Sequence, residues 1–420
     1  MAKKQSQLTV DDRVFVGRVE EQKQFRAALA ETLNPPAGEN LPYVFLLYGD
    51  GGIGKTTLAK RFRDIALQEA PFKDKVQMLW IDWEDERKKF PELQVGREQI
   101  QAEDVFDVIR AAAVRNRWGR QFVAYTKALK QTAEAKQQVA EMLTTGDKSD
   151  ELALVHHLSV AAIAKIVRAK VPIIGDTGEQ LIQAFVDAGL SVGVEKAAQL
   201  RSGIETLLRA HLEPNHFSHF LNPNEQLGDA LARGIGRVGG KKPLLVVLDS
   251  YEIVDRTDIW IREVIRSAGP NVIWVISGRN DLLQSRRFGN EYFKGYADDS
   301  PRRVLGYDML PLAVQDIKSY FTAVAPERAI KDAEVDAISR ATRGIPLAIQ
   351  ESMALWQTGA TLDAIVGEMH DSMPGSQIVS KMTDRYLQHV VVDEDKYTLY
   401  ALALAGGDVD ILRAMLKPEG

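Results

Sequence analysis

YVFLLYGDGGIGKTT, residues 43–57, decides the fold. Tyr43 to Tyr48 is an apolar run with a Pro/Gly/Asn-rich loop before it (NPPAGENLP, 34–42) and glycines after it. Such a run predicts a short buried strand. The residues that follow, Gly49-Asp50-Gly51-Gly52-Ile53-Gly54-Lys55-Thr56-Thr57, fit G-x-x-x-x-G-K-[ST], the phosphate-binding P-loop. Gly49, Gly51, Gly52 and Gly54 let the backbone curl, so that N–H groups up to and beyond Ile53 point inward at phosphate oxygens. Lys55 can reach the β- and γ-phosphates, and Thr56 can offer its hydroxyl to Mg²⁺. A helix from Lys55, through Thr57, to about Gln68 then turns its positive end toward the anion.

Outward from this stretch, helical periodicity runs from near Glu20, and further apolar strands are expected at 76–83, 243–250 and 271–278. A weaker one is expected at 302–307. Strands alternating with helical patterns predict an α/β fold, a P-loop NTPase with a parallel sheet flanked by helices. Residues 15–86 and 243–307 form this domain. Residues 87–242 read as a large all-α insertion that packs on itself. Residues 308–390 read as a small helical domain, and 391–420 as the start of a winged-helix-like module. Residues 1–14 read as a disordered arm.

The third strand, Leu244 to Asp249, ends in an acid. Beside a P-loop, that is the Walker B pattern, in which the carboxylate orders Mg²⁺. Glu252, three residues on, is a candidate to orient or deprotonate the attacking water, with a helix-capping or solvated acid as the alternative. Arg279 closes the fourth strand at the sheet edge where α/β folds bind ligands, and could bond a γ-phosphate. Gly344-Ile345-Pro346-Leu347-Ala348 is by itself a helix punctuated by Gly and Pro.

Composition narrows the class. The 420 residues allow roughly two to three domains. With 53 basic against 58 acidic residues, net charge −5, neither a nucleic-acid coat nor adhesion to an anionic membrane is expected. The chain has no cysteine, which removes disulfides and thiolate zinc sites and suits the cytoplasm. No signal peptide opens it, and no stretch reaches the ~18 apolar residues of a membrane span. His156-His157, His211, His216 and His219 lack a consistent frame with a nearby acid, so packing is expected over a metal site. Trp80 and Trp83 are expected on opposite faces of a strand, and the pairs Arg286-Arg287 and Arg302-Arg303 in solvent.

Taken together, these motifs resemble the STAND class of signalling ATPases, the group holding the NB-ARC and NACHT proteins. Phe15-Val16-Gly17-Arg18-Val19-Glu20 is similar to that family's V-G-R-x-x-E motif, whose first residues lie over the adenine. The loop Gly49–Thr57 looks like its G-x-G-G-[IV]-G-K-T-T, and Asp249-Ser250-Tyr251-Glu252 its bacterial D-[ST]-[FY]-E. Arg279 matches the arginine after the fourth strand. Gly344–Ala348 matches G-x-P-L-A, whose proline, here Pro346, contacts the base. Residues 15–86 and 243–390 carry the resemblance, whereas the insertion is larger than in compact members.

The resemblance implies a switch binding ATP or ADP with Mg²⁺ and hydrolysing slowly. It implies a monomer with ADP and a homo-oligomer with ATP, and a trigger ligand and effector the sequence does not name. The setting would be signalling or antiviral defence, with no nucleic acid or membrane as partner. An AAA+-like DNA-binding ATPase with a C-terminal winged helix, or a nucleotide-binding scaffold without turnover, is the alternative.

Overall fold

A computed structural model describes residues 8–97, 99–145, 157–169, 179–283 and 302–367, with positions 378 and 380. The winged-helix-like segment expected at 391–420 lies outside the described residues, as do His156 and Arg286-Arg287.

The chain opens with an antiparallel pair, β1 (Thr9–Val10) and β2 (Arg13–Val14), followed by helix α1 (Val19–Leu33). Strand β3 (Tyr43–Tyr48) feeds the P-loop and helix α2 (Lys55–Gln68), and β4 (Gln77–Asp82) follows. After a long helical stretch come β5 (Leu244–Asp249), β6 (Val272–Gly278) and β7 (Val304–Asp308). The last five strands form one parallel sheet in the order β4-β5-β6-β3-β7. This is an α/β architecture with a parallel sheet flanked by helices, consistent with a P-loop NTPase fold.

Period-two alternation sorts each strand between two cores. Val44, Leu46, Val246, Leu248, Trp274 and Ile276 face one side. Phe45, Leu47, Leu245, Val247, Ile273 and Val275 face the other, under α1 and α2. There Phe25 of α1 stacks on Phe62 of α2 at 4.2 Å, and Phe45 meets both edge-on at 5.3 and 5.5 Å. Full burial of such a side chain is worth about 1.5–3 kcal/mol, so this cluster fixes the helix that carries the P-loop lysine. Trp83 is buried in the first core and Trp80 packs against the second.

The helical stretch contains α3 (Trp83–Lys89), α4 (Ala102–Arg115), α5 (Val123–Thr145), α6 (Val160–Arg168) and α7 (Glu179–Asp187). It continues with α8 (Val194–His211), α9 (Pro214–Leu221) and α10 (Pro223–Lys241). It does not pack on itself as one unit. Phe106 and Ile109 of α4, Tyr125 at the start of α5, and Leu231 and Ile235 of α10 join the sheet's first core. Only from Ala135 to Phe220 does a separate core form, around Ile163, Phe185, Leu208 and Phe217. The reason lies in α10. Cβ atoms added at Gly234 and Gly236 would come within 2.4 Å of the Phe122 ring and 2.8 Å of the Ala268 carbonyl oxygen. Their absence lets the helix lie close on its neighbours. His219 is buried and hydrogen-bonds Thr132 at 3.1 Å.

Helix α11 (Asp258–Ser267), which follows β5 and precedes β6 in the chain, packs on α10 and joins the first core. After β7 come α12 (Val314–Val324), α13 (Asp332–Thr342), α14 (Pro346–Gln357) and α15 (Leu362–Val366), with their own core of Ile317, Phe321, Ile338, Ile349, Met353 and Trp356.

Two further sequence expectations change. Residues 8–14 are not a loose arm. Asp11 and Asp12 take positive φ, 47° and 62°, and turn the chain so that Val10 is buried. Asp11 then pairs with Lys60 at 2.9 Å and Arg63 at 2.6 Å on α2. Arg303 is not solvated either. It is buried against Glu31 and Glu39, the latter at 2.7 Å, with its guanidinium 4.4 Å from the centre of the Tyr43 ring.

Candidate functional site

Three glycines of the P-loop need left-handed backbone: Gly49 at φ 144°, Gly52 at 77° and Gly54 at 93°. Gly54 is the residue before α2, so the helix's first N–H groups open toward the loop. Lys55 folds its amine over that loop, donating to the Gly49 and Asp50 carbonyl oxygens at 2.9 and 2.8 Å. Burial lowers the Lys55 pKa, against the nearby Glu252 carboxylate. Phosphate oxygens could take over those two hydrogen bonds.

Thr56 donates its hydroxyl to Asp249 at 3.2 Å, joining the loop to the end of β5. Asp249 is buried, and its pKa is raised chiefly by that burial, while the hydrogen bond from Thr56 works the other way. In the parallel register Asp82 of β4 sits beside Asp249, a second carboxylate at the same edge. A hard divalent cation such as Mg²⁺ takes oxygen donors of this kind, and the Thr56 hydroxyl and Asp249 carboxylate could hold it. Bound there, it would neutralise phosphate charge.

A cavity of about 500 Å³ spreads from these residues to the helical layer. Gly52, Ile53, Gly54, Lys55, Thr56 and Thr57 line its loop end, and Val16 and Arg18 its side. Pro346, Leu347, Ile349 and Tyr320 close it from the helical layer. Its size falls within the usual range of small-molecule sites, ~300–1,000 Å³. The layers touch directly: Leu347 donates its backbone N–H to the Gly52 oxygen at 3.2 Å, and the Pro346 ring stands 3.7 Å from where a Cβ on Gly54 would be.

Arg18 fastens the same corner. Its guanidinium donates to the backbone oxygens of Leu310 and, at 3.5 Å, Ile53. Burial lowers its pKa, with Glu21 and Asp316 as counter-charges. Gly17, at φ 72°, lies behind the wall, where a Cβ would meet Asp316 Oδ2 at 3.0 Å. Gly344, at φ 67°, is similarly pressed to the joint, its oxygen accepting from the Leu312 N–H at 2.8 Å.

Glu252 and Arg279 meet elsewhere. Arg279 Nε contacts Glu252 Oε1 at 3.1 Å, and both line a second cleft of about 720 Å³ with Arg87, Lys88, Arg97 and Asn280. Beneath it the buried Asp255 is gripped by Arg97 at 2.5 and 2.7 Å and by the Asn280 amide, tying the turn after β5 to the end of β6.

Of the residues picked out in the sequence, Val16, Arg18, Gly52, Ile53, Gly54, Lys55, Thr56, Thr57 and Pro346 share one cavity. Gly17, Gly49 and Gly51 shape the loops behind it, Asp249 touches it through Thr56, and Glu252 and Arg279 face the second cleft. The sequence reading missed Arg13, Lys60, Tyr320 and Gln350, all on the cavity wall. Lys60 carried a signal, since it follows Thr56 by one helical turn. Tyr320 and Gln350 carried none.

No family model matches the chain, and no curated protein does. Among solved structures it is similar to the Walker-type ATPase of Pyrococcus abyssi. The TM-score is 0.39 and the identity 11%, over 96% of this chain and 77% of that one. So distant a likeness carries no weight for function, which rests on the site itself. No helix among the described residues is long and apolar enough to cross a membrane.

Proposed function

We propose that the chain is a nucleotide-operated switch of the STAND type, binding ADP or Mg²⁺–ATP in the cavity between the sheet and the helical layer. The observation that carries this is the shared cavity: Lys55 and Thr56 stand at one end and Tyr320, Pro346 and Gln350 at the other. A ligand touching both ends binds the closed arrangement better than an open one, and only such a difference shifts a population.

In this reading Lys55 trades its two loop carbonyls for phosphate oxygens, and the backbone N–H groups of the P-loop hold the same anion. Thr56 and Asp249 hold Mg²⁺. Val16, Arg18 and Pro346 form the walls for base and sugar, and Arg279 reaches the γ-phosphate, with Glu252 orienting water for slow hydrolysis. ATP in place of ADP would loosen the clasp and permit a homo-oligomer, in signalling or defence.

The test is ADP binding, followed by fluorescence or calorimetry, in Pro346→Glu and Tyr320→Ala. Both changes lie in the helical layer and alter no residue of the P-loop itself, and Tyr320→Ala is the gentler of the two because the Pro346 ring packs against Gly54. Each should weaken ADP by about tenfold or more, and ADP should protect the joint at 309–313 from proteolysis. Unchanged affinity in both variants removes the helical layer from the site and with it the switch.

A further inference from the structure

Five polar residues follow one another from Glu20 to Gln24, and of these only Gln22 is buried, 5% exposed. Its amide is held on both sides. Nε2 donates to the Gly17 and Arg18 backbone oxygens, each at 3.1 Å, and Oε1 accepts from Arg61 Nε at 2.9 Å. Arg61 lies on α2, the helix that begins with Lys55, and is itself buried. Its guanidinium also pairs with Glu69, which Arg26 of α1 holds at 2.9 and 3.1 Å. A chain of polar contacts therefore runs from the phosphate-binding helix to the turn at 17–18. That turn is left-handed at both residues, with φ 72° at Gly17 and 56° at Arg18. A non-glycine residue keeps such a backbone only where its surroundings enforce it. The oxygens that Gln22 holds belong to these two residues, and Arg18, with Val16 before it, lines the cavity.

We propose that Gln22 is a positioning residue for the nucleoside part of the ligand: it sets the Gly17-Arg18 turn, and with it the Val16 and Arg18 wall, while the P-loop grips phosphate without its help. This rests on the nucleotide site proposed above. Glutamine suits the place because one amide donates on one side and accepts on the other. A glutamate there would keep the bond from Arg61 but turn a carboxylate oxygen toward two carbonyl oxygens, and the turn would open. A methionine, of similar length, would lose both sets of contacts.

The experiment is calorimetric titration of ADP and of inorganic pyrophosphate, both with Mg²⁺, into wild type, Gln22→Glu and Gln22→Met. Pyrophosphate needs only the P-loop, so its binding also reports that a variant is folded. ADP needs the wall as well. Each variant should weaken ADP by roughly tenfold, the worth of one or two hydrogen bonds, and leave pyrophosphate within about twofold. Gln22→Met carries the test alone if the buried carboxylate of Gln22→Glu prevents folding. Parallel losses for ADP and pyrophosphate overturn the proposal, because Gln22 then acts on α2 or on the fold as a whole. Unchanged ADP affinity in both variants overturns it equally. These outcomes leave the nucleotide site standing, whereas a wild type that binds neither ligand overturns both readings.

Discussion

The two ends of the cavity are built differently. The phosphate end is one continuous stretch, Gly49 to Thr57, tied to the end of β5 by the hydrogen bond from Thr56 to Asp249. The far end is gathered from distant parts of the chain: the turn at 10–16, Tyr320 on α12, and Pro346 to Gln350 on α14. A local motif brings its groups together through backbone geometry that short-range sequence enforces. A gathered wall exists only while the layers are docked. The first end should supply most of the affinity, and the second should make that affinity depend on domain arrangement.

The sharpest way to break this contrast is Lys55→Ala. Charge-assisted hydrogen bonds to phosphate are among the strong ones, so ADP affinity should fall by about a hundredfold or more in a direct titration. Next is Arg279→Ala, expected to weaken an ATP analogue roughly ten- to a hundredfold while ADP stays within a few-fold. Equal losses for both nucleotides would make Arg279 structural. Tyr320→Ala probes the other end, where ADP and the ATP analogue should weaken together by about tenfold, the worth of a buried ring face. Unequal effects there would blur the division between the two ends.

Smaller effects appear in stability. The Asp249 carboxyl has its pKa raised by burial, so the folded chain holds that proton more tightly than the unfolded one. Its charged form therefore costs stability once pH rises through the raised value. Asp249→Asn should lift the nucleotide-free melting temperature at neutral pH by roughly 1–2 °C, and the gain should shrink as pH falls. Asp11 has the opposite sign. Arg63, then Lys60, hold its pKa down at about 2, against an ordinary value of 3.8. The stability it contributes is present above that ordinary value and fades as pH falls toward 2. Its side chain is 44% exposed, so solvent screens the pair and the loss should stay well below about 1 kcal/mol. A melting curve of Asp11→Asn across acid pH should lack this component.

Joint and edge strand also need separating. Truncation after residue 300, to remove the helical layer, is a poor probe of it, because Gly306 lies inside β7, which pairs with β3, and the Met309 N–H bonds the Tyr48 oxygen at 2.8 Å. Cutting there removes a strand as well as the helical layer. The described joint is 309–313, so point changes at Tyr320 and Pro346 are the cleaner probes.

Much was legible in the chain itself. Strand β3 spans Tyr43–Tyr48 and helix α2 spans Lys55–Gln68, as the pattern predicts, because an unbroken apolar run and a glycine turn are decided within a few residues. The loop's glycines, Lys55, Thr56 and Asp249 were readable for the same reason. The hairpin at 9–14 was not, since two turning aspartates look like solvated polar residues until Lys60 and Arg63 are seen opposite them. Nor was the division of the helical stretch, because Gly234 weakens a helix in sequence terms but permits close packing in space. By itself, then, the sequence determined the phosphate-binding loop, its strand and its helix, all products of local backbone preference. Tertiary structure alone decided that Tyr320 and Gln350 face the P-loop, and that Arg279 rests on Glu252. Those contacts join residues far apart in the chain, and no local pattern encodes which of them will meet.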